Sequence, residues 1–175
     1  MKRVSYFFAS FAVGKWSQST CRKMIRILAT RLRRPTVQMK LEMFTDGNDD
    51  YVFTLPDYFS TDTLNYSQLV KIRRKGRVVG KIKREIYGHS DPSKIETTDI
   101  ENFNGILRAG IGRLVRRTKC ISKIISRLEQ AIHVFQFYWN FVKPLNNRES
   151  PAMKENIANR LWTWRDLLTW RVKLC

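Results

Sequence analysis

Glu101, Asn104 and Arg108 are spaced 0, +3 and +7. On a helix these positions share one face, so a carboxylate, an amide and a guanidinium project together. Ile100, Phe103, Leu107, Ile111 and Leu114 form a separate apolar stripe at helical spacing. The helix runs into the dense basic cluster Arg113, Arg116, Arg117 and Lys119. A carboxylate beside an amide and several cations suits holding a divalent metal ion next to a phosphodiester. The plainer alternative is an amphipathic helix with a solvated polar face, the commonest kind of surface helix. A second carboxylate, Asp46, follows an alternating run from Val37 to Thr45 and precedes Gly47, which places it at the end of a strand. Open α/β sheets put their ligand groups at the carboxyl ends of strands.

Charge narrows the range of partners. The 175 residues carry 33 Lys and Arg against 15 Asp and Glu, a formal net charge of +18. Such an excess favours polyanions through counterion release, with nucleic acid first and an anionic membrane surface second. The distribution is uneven, because ten Lys or Arg precede the first acid, Glu42. The helices carry core-like stripes rather than one long basic amphipathic face, which argues against a membrane-surface protein. No apolar segment reaches the ~18 residues needed to cross a bilayer. The start, Met1 to Gly14, imitates a signal peptide but has no small-x-small cleavage site.

Three cysteines (Cys21, Cys120, Cys175) without CxxC spacing suggest a reducing compartment and neither zinc nor a disulfide framework. Two histidines are too few and too scattered for a zinc cluster, and His133 among Ile132, Val134 and Phe135 reads as a packed helical residue. No Ser/His/Asp nucleophile arrangement stands out.

The elements that would position these groups follow from periodicity. Residues 4–15 read as a strand, and Ser17 to Arg34 as a helix stopped by Pro35. Residues 37–45 read as a second strand, and Asn48 to Ser60 as a short helix or loop. The runs 68–72 and 77–83, joined by Arg73-Arg74-Lys75-Gly76, read as a basic hairpin. It is either a DNA contact or a charged edge strand that resists aggregation, and the two roles are compatible. Three helices follow, at about 94–117, 122–142 and 151–172. Ser150 and Pro151 fit the cap and first position of the last, and Trp162, Trp164 and Trp170 read as packing residues.

The order strand–helix–strand–Asp, hairpin, helix–Glu is that of a ribonuclease-H-like nuclease core. Thr45-Asp46-Gly47, Ile100-Glu101-Asn102-Phe103-Asn104-Gly105-Ile106-Leu107-Arg108 and the segment from Gly112 to Lys123 resemble transposases of the insertion-sequence-one family. Val13 to Thr20 is similar to the strand-to-helix passage of that family's catalytic domain. The resemblance covers roughly residues 5–142. It implies an α/β fold, an incomplete ribonuclease-H-like (integrase-type) core with a basic β-hairpin insertion and C-terminal helices, divided into residues 1–143 and a helical tail at 144–175. The implied activity is cutting and joining DNA at transposon ends with an Asp, Asp, Glu triad and magnesium.

By that resemblance Asp46 matches the second Asp and Glu101 the Glu, both as metal ligands, with Asn104 and Arg108 in support. Between them lie 54 residues, the long spacing that a hairpin insertion fills. Residues 1–41 contain no carboxylate, so nothing before Asp46 replaces the first Asp. The zinc and helix-turn-helix parts that recognise transposon ends are not in this sequence either. The resemblance therefore implies a carboxyl-terminal portion of a transposase, inactive alone, which would bind magnesium unproductively. Expected partners are DNA, contacted by Lys71, Arg73, Arg74, Lys75, Arg77, Arg113, Arg116 and Arg117, and a full-length transposase or a second copy. The expected location is the cytoplasm, on the nucleoid. The alternative is a basic DNA-binding or transposase-interacting regulator that never used the carboxylates.

Overall fold

The computed structural model describes residues 1–115, 119, 122–145 and 148–169. The chain is mixed α/β and divides into two compact units, Ser10–Phe103 and Met1–Ala9 with Asn104–Cys175.

The unit Ser10–Phe103 is built on a three-stranded mixed sheet in the order β1-β2-β3. Strand β1 (Leu41–Asp46) lies parallel to β2 (Leu64–Arg74), and β2 lies antiparallel to β3 (Arg77–Tyr87). Alternation assigns the faces. Leu41, Met43 and Thr45 pair with Leu64, Tyr66 and Gln68, and they share one face. Helix α1 (Gln18–Arg31) covers it, because Cys21, Met24, Ile25 and Leu28 recur at helical spacing and pack with Leu55, Phe59, Leu64 and Tyr66. Short helix α2 (Asp50–Thr54) and the 3-10 turn Leu55–Asp57 make the parallel crossover from β1 to β2.

The opposite face carries Glu42, Phe44 and Asp46 beside Asn65, Ser67 and Leu69, with Lys71 next along β2. The segment that leads into helix α3 (Thr98–Gly110) crosses this face. Lys83 of β3 donates to Pro92 O at 2.6 Å, Lys94 approaches Glu42 of β1 at 3.8 Å, and Ser67 of β2 donates to Ser90 at 2.9 Å. Ile95 and Phe103 are buried here.

The β2–β3 hairpin is longer than periodicity indicates and turns at two residues, Lys75 (φ 49°) and Gly76 (φ 78°). Positive φ at both is the type I′ geometry that matches strand twist, and glycine adopts it without a Cβ penalty.

The expected strand at 4–15 is not formed, and its residues divide between the two units at Ala9. Its amino-terminal part is instead held by helix side chains. Phe8 N–H donates to Asn140 Oδ1 at 2.8 Å, and Phe8 O accepts from Asn140 Nδ2 at 3.0 Å and from Gln136 Nε2 at 2.7 Å. Trp139 Nε1 donates to Tyr6 O at 2.8 Å. A segment with strand-like composition but no neighbouring strand still has to satisfy its backbone, and here amides do so. The acceptors and donors come from α4 (Ile125–Phe137) and the π-helical turn Tyr138–Val142 that extends it.

Other boundaries also shift. The helix around Glu101 spans Thr98–Gly110 rather than 94–117, because Gly110 and Gly112 weaken it and a 3-10 turn at Gly112–Leu114 follows. The last helix is two pieces, α5 (Pro151–Lys154) and α6 (Trp164–Thr169). Asn156 at φ 57° ends the first piece. Thr163 and Asp166 start the second with a reciprocal capping box, Thr163 N–H to Asp166 Oδ2 at 2.6 Å and Asp166 N–H to Thr163 Oγ1 at 3.3 Å. Trp162 and Trp164 are packing residues, set against Phe137, Phe141 and Tyr138 with ring centroids 5.1–6.1 Å apart. Trp170 lies outside the described residues.

Candidate nucleic-acid interface

Pairing between β1 and β2 ends at Asp46 and Leu69, whereas pairing between β2 and β3 runs on to Arg74 and Arg77. From Val70 onward the hairpin is therefore a two-stranded ribbon, roughly 16 Å long by strand rise, beyond the end of β1. Arg73, Arg74, Lys75 and Arg77 are all exposed at its tip. Among them Ile72, Val78, Val79 and Ile82 expose 40–57% of their surface. A two-stranded ribbon of this width is one of the shapes a DNA major groove admits. Cations on a ribbon reach phosphates, and apolar side chains between them can touch base methyl groups.

The base of the ribbon behaves differently, because its cations are tied to the protein. Lys71 of β2 donates to Glu101 Oε1 of α3, which also accepts from Thr97 Oγ1 at 2.7 Å. Lys81 of β3 lies 3.8 Å from Glu96. Arg84 of β3 bridges Asp49 and Gln68 Oε1. Gln68 is fully buried and donates to Asn48 O at 3.0 Å and to Tyr66 OH at 2.9 Å. Lys71 was expected among the DNA contacts, but its ammonium is engaged by Glu101. The sequence held no sign of this, because the pair is 30 residues apart and depends on sheet register. Lys81 and Lys83 also belong to β3, at positions that its alternation could have indicated.

The two carboxylates of interest come from neighbouring places with different partners. Register sets Asp46 beside Leu69, with Lys71 one pleat further on the same face, so the Cα atoms of Asp46 and Lys71 are about 8 Å apart by sheet spacing. Glu101 is fastened to that lysine. Asp46, by contrast, closes on its own loop, where Oδ1 accepts from Asn48 N–H at 3.4 Å. Its charge adds to burial in keeping Tyr66 un-ionised, with the phenol pushed up to about 12. Glu101 is held below its ordinary carboxylate range by hydrogen bonds from Lys71 and Thr97 and by the charges of Lys71 and Lys81.

Magnesium takes about six hard oxygen ligands in near-octahedral geometry. Here one oxygen of Glu101 already accepts from an ammonium and a hydroxyl. Among the described residues no group of three or more His, Cys, Asp or Glu is placed to hold a metal ion. Lys71 supplies the positive charge beside Glu101.

Asn104 and Arg108 are half-buried in the unit of Met1–Ala9 and Asn104–Cys175, and Arg113 is exposed on the 3-10 turn after α3. Arg116 and Arg117 lie outside the described residues. Among the described residues no helix is long and apolar enough to cross a membrane. Set against known proteins, the chain matches no family model, no curated protein and no solved structure.

Proposed function

We propose that this chain is a DNA-binding protein of transposase descent that grips duplex DNA with its β2–β3 ribbon and does not cut it. The observation that carries this reading is the ribbon itself, with four exposed cations at a tip that extends past the rest of the sheet. The ribbon's base is neutralised internally, whereas its tip is left to solvent. The net charge of +18 supplies long-range attraction to a polyanion. The finer fold reading is an incomplete ribonuclease-H-like core of the insertion-sequence-one type. It is supported by the parallel β1–β2 crossover, by Asp46 at a strand end, and by Glu101 on a later helix fastened to the same sheet face. The engagement of Glu101 by Lys71 favours binding over magnesium-dependent cleavage. A protein that works this way acts on the nucleoid, in the cytoplasm.

Salt dependence tests the reading. For a duplex, log K falls linearly with log salt, with a slope of about −0.9 per phosphate neutralised. The Arg73→Gln/Arg74→Gln/Arg77→Gln variant should bind duplex DNA more weakly, with a slope shallower by roughly 2 to 3. A variant with unchanged affinity and slope would remove the ribbon from the interface.

A further inference from the structure

A cleft of about 240 Å³ opens in the unit Ser10–Phe103, between the loop that enters α1 and the loop that leaves β1. Gly14, Lys15, Trp16 and Thr20 line one side, and Asn48, Asp50 and Tyr51 the other. Gly14 allows the close approach, since a Cβ there would sit 2.5 Å from Thr20 Oγ1. The indole of Trp16 is 86% exposed at the rim, next to the exposed Lys15. An indole left in water beside a lysine, over a cleft whose lining mixes apolar Ala12, Cys21 and Met24 with polar Ser17, Thr20 and Asn48, has the makeup of a base-stacking platform. The interior is unsuited to phosphate, because the Asp50 carboxylate would repel it. A carboxylate and an amide suit the N–H groups on a base edge. Burial pushes the Tyr51 phenol above its ordinary range, so it remains a neutral donor.

We propose that this cleft takes one unpaired nucleobase of single-stranded or locally opened DNA, stacked on Trp16, with Lys15 on the flanking phosphate and Asp50 and Asn48 against the base edge. The ligand class rests on the DNA-binding reading, but the site is separate from the ribbon. A protein that holds duplex with one surface and an extruded base with another would prefer distorted DNA, where unpairing costs least.

The test compares binding of the full chain to a 20-nucleotide single strand and to the duplex of the same sequence at fixed salt. Trp16→Ala should weaken single-strand binding about tenfold, since aromatic stacking contributes of that order per base, and leave duplex binding within about twofold. Trp16→Phe should retain most of the single-strand affinity, which separates lost stacking from lost folding. A 2-aminopurine base in the strand should change its fluorescence on binding wild type and not on binding Trp16→Ala. Equal losses for both DNA forms, or none for either, would overturn the proposal. A Trp16→Ala loss confined to single strands, with no effect of the three ribbon substitutions, would sustain the cleft while refuting the ribbon. A wild-type chain that binds neither DNA form would refute both.

Discussion

Lys71 of strand β2 donates a hydrogen bond to Glu101 of helix α3, placing an ammonium where the resemblance to transposases led us to expect a metal ion. The pair joins the root of the ribbon to the first turn of helix α3. Because the Glu101 side chain is 50% exposed, solvent screens the pair and its contribution is modest. A double-mutant cycle with Lys71→Met and Glu101→Gln is expected to give a coupling of about 0.2–1 kcal/mol in denaturant melts.

The same pair sets a pH dependence. Glu101 titrates below its ordinary range in the folded state, so its contribution is complete above the unfolded carboxylate value and is lost as pH falls through the lowered folded value. Removing Lys71 removes the main cause of the shift. Lys71→Met should therefore be less stable than wild type at neutral pH but lose less stability on acidification, its urea midpoint falling less steeply through the carboxylate range. Identical acid limbs would show that the lysine does not hold the carboxylate in solution.

Gln68 is fully buried and satisfies Asn48 O, Tyr66 OH and Arg84 at once. Gln68→Leu removes the donor to the part-buried Asn48 carbonyl and one of the two partners of Tyr66 OH, which keeps Thr45 Oγ1, at a cost of about 1–3 kcal/mol. The denaturant midpoint should fall accordingly, with little change in its slope.

Asn140 and Gln136 stand in for a sheet neighbour at Phe8 and Ala9. Asn140→Leu deprives the Phe8 N–H of its acceptor. Hydrogen exchange at Phe8 should accelerate by an order of magnitude or more, while amides of β2 keep their protection. Unchanged exchange at Phe8 would place its protection elsewhere.

The capping box of α6 is also readable by pH. Asp166 is held far below its ordinary range by Arg160 and by both Thr163 groups. The cap should persist through mild acid and be lost only as pH falls through that lowered value. Asp166→Asn should fray α6 at neutral pH, seen as faster exchange at Thr163, whose N–H donates to the carboxylate.

These contacts show where sequence reading succeeds. Hairpin and Glu101 helix were legible because each is local: alternation, a glycine turn, a period of 3.6. Asp46 at a strand end was legible for the same reason. The strand expected at 4–15 failed because composition cannot say whether a neighbouring strand exists to pair with. The continuous helix expected at 151–172 failed because Thr163 and Asp166 form a capping box in its middle, inside a stripe of apolar residues at helical spacing. Ile157 and Leu168 of that stripe are 55% and 82% exposed. The Lys71–Glu101 pair and the Trp16 cleft needed register and packing, which no window of sequence contains.

The central claim is that this chain holds DNA without cutting it. The direct measurement is incubation of the purified full chain with supercoiled plasmid, with and without magnesium, followed by native and denaturing gels. The account expects a salt-sensitive mobility shift in both conditions and no nicked product, for wild type and Glu101→Ala alike. Magnesium-dependent nicking or joining that disappears in Glu101→Ala would contradict it.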